Sequence, residues 1–268
     1  MICHRFERHV GSIKAAWQAA AEGRLDLDEL RLSGERVAKL KNQFAGTWEQ
    51  VLGKAFDKEE WARVKSESAK LSHQAYTSSI AILQNPNSIP LSSVGKIVVF
   101  SPKAESLNLA VDDAEGVLRT ADGKVRNTAG PSYVAWVKAV EGQVGDVSHV
   151  VYAPEETLGD DERSILDSAT SVIFATKNAD RSKWQLDYLR EVLAARRAAH
   201  KDGGLAVLTS CAPYDFLAVP SGDELSGLPV VASFEFTAEA MIAATKVIFG
   251  QEQASGRVPV RIGKTPAQ

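Results

Sequence analysis

The residues best suited to chemistry follow short apolar runs. Lys177 and Asn178 come directly after SVIFAT, and Tyr214 and Asp215 come shortly after LAVLTS. A carboxylate beside a tyrosine just past a strand end can hold a ligand hydroxyl or cap the next turn. Lysine and asparagine at the neighbouring strand end can hydrogen-bond a ligand or a facing domain. Cys211 stands where a nucleophile could sit, but no histidine accompanies it in sequence, and free cysteine is commonly a core residue. The pairs Glu155-Glu156 and Asp160-Asp161 fit a loop tip and a helix start. His73, His149 and His200 are scattered singly, as surface or internally satisfied histidines are. Cys3, His4 and His9 do not make a metal site, because separations of five and six residues turn helical side chains about 140° to 240° apart.

Other chemistries are excluded by what is missing. A dinucleotide fold needs a glycine-rich turn after its first strand, so that backbone can approach the pyrophosphate; the turn here reads Ser101-Pro102-Lys103-Ala104. No GxxxxGK[ST] phosphate loop occurs. A phospho-acceptor receiver domain needs an aspartate at the end of its third strand, where Thr176-Lys177-Asn178 stands. No cofactor and no metal are expected.

Positioning these residues falls to a series of buried strands. KIVVF (96–100), HVVYA (149–153), SVIFAT (171–176), LAVLTS (205–210) and PVVASF (229–234) are apolar without alternation, as parallel strands covered on both faces must be. SIAIL (79–83) can add an edge strand. Helical stretches intervene at 132–141, 161–169, 182–200 and 237–249. In the third, Trp184, Tyr188, Leu189, Val192 and Leu193 form a core side, with Arg190, Arg196 and Arg197 away from it. In the last, Thr237 caps, Phe236 staples onto Met241 and Gly250 supplies the left-handed residue past the end. The alternation predicts a doubly wound sheet, whose ligands bind beyond the carboxyl ends of its strands. The stretch 101–130 is longer than an ordinary connection and is expected to be a functional or family-specific loop.

The chain up to about Ser79 reads as helix throughout. Asp26 with Glu29 and Asp57 with Glu60 have the capping-box spacing, with Leu25/Leu30 and Phe56/Trp61 as hydrophobic staples. Leu30, Val37, Leu40 and Phe44 fall on one stripe, so that helix should lie on a partner surface.

Composition bounds the rest. The 268 residues, 44% hydrophobic and 24% charged, carry 31 basic against 34 acidic side chains and a net charge of −3. This is a globular profile, neither a basic nucleic-acid binder nor an acidic disordered tail. No apolar run approaches the roughly 18 to 20 residues of a membrane helix. Cys3, His4, Arg5 and Glu7 interrupt any secretory apolar stretch, two cysteines make no disulfide framework, and there is no Asn-x-Ser/Thr sequon. A reducing, cytoplasmic location is expected.

Several runs together resemble a known family. Ala175-Thr176-Lys177-Asn178-Ala179, Cys211-Ala212-Pro213-Tyr214-Asp215, Phe234-Glu235-Phe236-Thr237 leading to Ile248-Phe249-Gly250, and Gly256-Arg257-Val258-Pro259-Val260 are similar to the C-terminal α/β sandwich domain of family-3 glycoside hydrolases, in its β-N-acetylglucosaminidase branch. Cys3-His4-Arg5-Phe6-Glu7, Ser33-Gly34-Glu35-Arg36-Val37 and Lys41 resemble the last turn of that family's barrel and the linker after it. The resemblance implies a domain that packs beside a catalytic (β/α)8 barrel, which supplies the nucleophilic aspartate and, in this branch, a His-Asp acid/base pair. None of that barrel is recognised here, so no catalytic residue is carried over. Nor is the acid/base glutamate that some relatives take from their second domain matched to Glu155, Glu156 or Glu235.

The expected fold is a helical segment, residues 1–78, followed by a flavodoxin-like α/β domain, residues 79–268, with a five- to six-stranded, mostly parallel sheet and helices on both faces. The resemblance implies the non-catalytic second domain of a β-N-acetylglucosaminidase, with Lys177, Asn178, Tyr214 and Asp215 as contacts to an amino-sugar glycoside or to the other domain. A carbohydrate- or protein-binding module is the alternative. An autonomous glycosidase would need two carboxyl groups across a pocket, such as Asp215 with Glu155, Glu156 or Glu235. Expected partners are a barrel in trans or a second copy covering Phe6, Val10, Ile13 and Trp17; nucleic acid and membrane are not expected.

Overall fold

The computed structural model describes residues 6–53, 55–103, 129–201, 203–216 and 219–259. The run Cys3-His4 and most of the long 101–130 stretch lie outside these residues. Contacts divide the described residues into two compact units, one up to Ser66 and the other from Glu67 onward.

The first unit is helical. It holds α1 (Phe6–Ala21), α2 (Leu27–Phe44), α3 (Trp48–Leu52) and the start of α4 (Lys58–Ser79). The N-cap carboxylates act as expected, whereas the glutamates of the two expected capping boxes pair with Arg36 and Arg63 instead. Asp26 accepts from the backbone N–H groups of Asp28 and Glu29, and Asp57 from those of Glu59 and Glu60. Phe56 and Trp61 approach with ring centroids 6.2 Å apart across the second start. The short α3, closed by a reciprocal Thr47/Gln50 capping box, is an addition to the sequence reading. No described residue of α1 to α4 is buried.

The second unit is an α/β sandwich. Six strands, β1 (Ala81–Gln84), β2 (Ile97–Pro102), β3 (Val147–Tyr152), β4 (Ser171–Thr176), β5 (Leu205–Thr209) and β6 (Val230–Ala232), lie in the order β1-β6-β5-β4-β2-β3. β1 is one edge strand and runs antiparallel to β6, with Ala81 opposite Ala232. The other five are parallel, and their order is the flavodoxin-like 2-1-3-4-5 of a doubly wound sheet.

Alternate residues feed two cores. Ile97, Val99, Ile173 and Ala175 face Trp136 and Val140 of α5 (Pro131–Val144) and Met241 and Ile248 of α8 (Ala238–Ile248). Val98, Phe100, Val172 and Phe174 face Leu166 of α6 (Asp160–Ser168) and Leu189 of α7 (Trp184–Ala198). Continuous apolar strands are therefore the consequence of helices on both faces. Trp136 Nε1 donates to Thr245 Oγ1 at 2.8 Å, tying α5 to α8. At the other pole Arg196, nearly fully buried, donates to the Gly203 carbonyl at 2.6 Å, and Lys201 donates to the carbonyls of Asp167 and Ala169 at the C-terminus of α6. Thr237 caps α8 through the Ala240 N–H, and Gly250 follows at φ +69°, the left-handed residue expected there. Phe236 joins the same core cluster as Met241. Gly256 N–H donates to Ile80 O at 2.9 Å, and a Cβ there would run into the Ser79 carbonyl. Among the described residues no helix is long and apolar enough to cross a membrane.

Candidate functional site at the carboxyl ends of the parallel strands

The strand order reverses between β2 and β4, and the candidate residues stand beyond the ends of β4 and β5, beside that reversal. Thr176 ends β4 on the same sheet face as Phe174. Its Oγ1 donates to Asp215 Oδ2 at 2.5 Å. Asp215 is fully buried, and its Oδ1 accepts no hydrogen bond. Desolvation raises its pKa to about 6; the Thr176 hydrogen bond and the Ala179 backbone offset part of that rise, while the like charge of Asp180 adds to it. Thr209, paired with Thr176 in the β4–β5 ladder, presents a second buried hydroxyl without a partner.

The backbone around this carboxyl is held from two sides. Ser210 Oγ spends its proton on the Thr176 carbonyl at 2.7 Å, so the buried Tyr133 must donate to Ser210, at 2.8 Å. Burial pushes the Tyr133 phenol well above its ordinary range and keeps it a donor. Gln185, 2% exposed, clamps both backbone groups of Lys177: Oε1 accepts the N–H at 2.9 Å and Nε2 donates to the carbonyl at 2.8 Å. Tyr152 OH, donating to the Ala175 carbonyl at 2.7 Å, closes the arrangement from below.

The four residues singled out from the sequence take different positions. Lys177 is half-buried, with Nζ 3.7 Å from the centre of the Phe236 ring, a cation–π contact. Phe236 in turn meets Tyr133 edge-on at 4.9 Å. Asn178 adopts a left-handed conformation, φ 53°, and its carbonyl accepts from Arg181 and Ser182. Tyr214 is half-buried. Cys211, a free thiol in the same neighbourhood, has its pKa raised by burial, with Lys177 pulling the other way and Asp215 and Glu235 adding to the rise. The thiol is therefore no ready nucleophile. Glu155, also left-handed at φ 67°, sits at the end of β3 with Glu156 on the exposed side.

Left-handed, non-glycine residues thus follow three of the parallel strands: Glu155 after β3, Asn178 after β4 and Phe234 after β6, the last at φ 56°. Such a conformation costs a bulky residue energy and is retained where surrounding contacts enforce it, commonly around sites. Sequence reasoning missed Gln185 and, although Thr176 and Ser210 lie in the strand-end stretches it points to, gave those two no role. The signal was a polar residue closing an otherwise apolar run; Gln185 carried none, because its role exists only once α7 folds back on β4. His149, read as an isolated histidine, meets the buried Ser101 hydroxyl at 2.7 Å, and burial lowers its pKa below the ordinary imidazole value. Among the described residues no group of histidine, cysteine and carboxylate side chains could hold a metal.

No protein-family model matches the chain, and no curated protein sequence does. Solved structures do match it. A fungal multi-domain family-3 β-N-acetylglucosaminidase, described with a GCN5-related glucosamine N-acetyltransferase region, aligns over 99% of this chain and 27% of its own length, at 24% identity and TM-score 0.66. A family-3 β-N-acetylglucosaminidase from a Paenibacillus strain aligns over 98% of this chain and 45% of its own, at 20% identity and TM-score 0.60. A β-glucoside phosphorylase aligns over 93% and 41%, at 15% identity and TM-score 0.54. The chain spans less than half the length of each, and its described residues hold a single six-stranded sheet and no (β/α)8 barrel. Over its described residues this chain therefore has the fold of one part of those family-3 glycoside hydrolase structures, an α/β sandwich preceded in sequence by helices.

Proposed function

We propose that the chain is the non-catalytic second domain of a family-3-like β-N-acetylglucosaminidase. The observation that carries the reading is coverage: parts of two structures described as such enzymes run along 99% and 98% of this chain. On this reading residues 1–78 are the helical lead-in and residues 79–268 the α/β domain. Its partner is a catalytic barrel, on the same or a separate polypeptide, and its ligand an amino-sugar glycoside held mainly by that barrel. Cysteine usage, with Cys211 a free thiol, fits the cytoplasm.

The chemistry of the strand ends supports a supporting role. Glycoside hydrolysis generally needs two carboxyl groups flanking the bond, or a variant pair held a fixed distance apart. Asp215 is sealed from solvent, and the acidic neighbour that raises it is Asp180, not a glutamate across a cleft. On this reading it holds the 210–216 turn against β4, and the half-buried Lys177, Asn178 and Tyr214 are the rim contacts. That half-buried polar rim also favours a second reading, a binding module without chemistry.

An assay of the purified chain with a chromogenic aryl N-acetyl-β-glucosaminide and the matching glucoside tests this. The expected result is no turnover above buffer, from protein shown to be folded. Turnover that disappears in Asp215→Ala would overturn it. Saturable N-acetylglucosamine affinity in calorimetry, lost in Lys177→Ala and without turnover, would establish the binding module instead.

A further inference from the structure

We propose that the carboxyl ends of β4 and β5 hold a binding site for one internal water, which bridges Asp215 Oδ1 and Thr209 Oγ1. Both side chains are fully buried, and neither oxygen has a hydrogen-bond partner in the protein. The two belong to one cluster. Thr209 is the register partner of Thr176 in the parallel β4–β5 ladder, one strand spacing away, about 4.8 Å. Their side chains leave the sheet on one face, since Phe174 and Val207, two residues earlier on each strand, share a core cluster. Thr176 Oγ1 in turn donates to the other oxygen of the same carboxyl, Asp215 Oδ2.

Distance and chemistry both select the occupant. A strand spacing is too long for a direct hydrogen bond of about 2.8 Å, whereas a water making two such bonds joins oxygens about 4.5 to 5 Å apart. Neighbouring hydroxyls cannot take its place. The Thr176 proton goes to Asp215 Oδ2, the Ser210 proton to the Thr176 carbonyl and the Tyr133 proton to Ser210. Leaving a buried carboxyl oxygen and a buried hydroxyl both unpaired is costly, and one molecule that gives and accepts protons relieves both. Water also suits either charge state of Asp215: it donates to the carboxylate and accepts from the acid, while the Thr209 hydroxyl reverses to match. The bridge joins β4, β5 and the 210–216 turn that carries Tyr214.

Magnetic relaxation dispersion of water oxygen and deuterium, which counts long-lived internal waters, tests the proposal on the full chain. Thr209→Val keeps the side-chain shape without the hydroxyl and should lower the count by one. Thr209→Ser keeps the hydroxyl and should leave the count unchanged. Urea unfolding reads the same question by sign. If the water is held, Thr209→Val lowers the midpoint, because Asp215 Oδ1 loses its bridge; if the hydroxyl is unhydrated, the same change removes an unpaired polar group and raises the midpoint. Near-ultraviolet circular dichroism of the sandwich's aromatic cluster reports that each variant is folded. An equal count in the unaltered chain and Thr209→Val, a count that falls equally in Thr209→Ser, or a raised midpoint in Thr209→Val overturns the proposal. The measurement is independent of the second-domain reading, which the glycoside assay probes.

Discussion

The capped helices of the first unit and α8 of the second start on the same kind of side-chain cap, yet they differ completely in burial. Asp26, Thr47 and Asp57 satisfy the first amides of their helices as well as Thr237 does for α8. But α8 buries Ala240, Met241, Ala243, Ala244, Thr245, Val247 and Ile248, whereas α1 to α4 bury nothing described. Local capping writes a helix into the sequence; it does not say what the helix stands against. Most helical stability in proteins comes from tertiary packing of an amphipathic face, so the first unit's helices are the part of this molecule that a partner would change most.

The sharpest way to break the contrast is to truncate one aromatic on each side of it. Phe174→Ala removes a fully buried ring stacked on Phe100 at 5.6 Å and should cost about 3–5 kcal/mol in urea unfolding. In the isolated chain Trp17→Ala should cost within about 0.5 kcal/mol, as surface substitutions do. Comparable losses for both would mean that α1 is packed.

Acidity separates the units next. Asp215 is held at about 6, above the ordinary carboxyl value near 3.8, so the folded state retains its proton more tightly than the unfolded chain. Stability from this group is fully present below about pH 4, falls as pH rises to about 6, and is flat above. The fall amounts to about 3 kcal/mol for a shift of this size. Asp215→Asn, which keeps an acceptor for Thr176, should abolish the slope in pH-dependent unfolding; an unchanged slope would assign it elsewhere.

Gln185→Ala leaves both backbone groups of Lys177 without their partner and should cost about 1–3 kcal/mol by the same unfolding measurement. It should also speed amide exchange at Lys177. Smallest is Asp26→Ala, about 1 kcal/mol of cap energy, read as lost helicity in α2 with the sandwich's unfolding midpoint unchanged. A shifted midpoint would couple the two units.

Much of the fold was legible. β4 spans the very residues of SVIFAT, and the edge strand, both carboxylate caps and Gly250 stand where their residue types place them. Less of the site was. Lys177 and Asp215 were named from their position past strand ends, but the hydroxyl that joins Asp215 to β4 comes from Thr176, 39 residues away, and the clamp on Lys177 from Gln185.

The sequence by itself determined the helices, the strands and their parallel, doubly covered character, because caps, staples and apolar runs act over a few residues. Only the tertiary structure decided that β1 lies antiparallel beside β6, that Asp215 is buried and short of one partner in the protein, that Phe234 turns left-handed, and that the apolar seams of α1 and α2 stand uncovered. Strand order, desolvation and exposure depend on which distant segments meet, and distance along the chain carries no record of that until the core has formed.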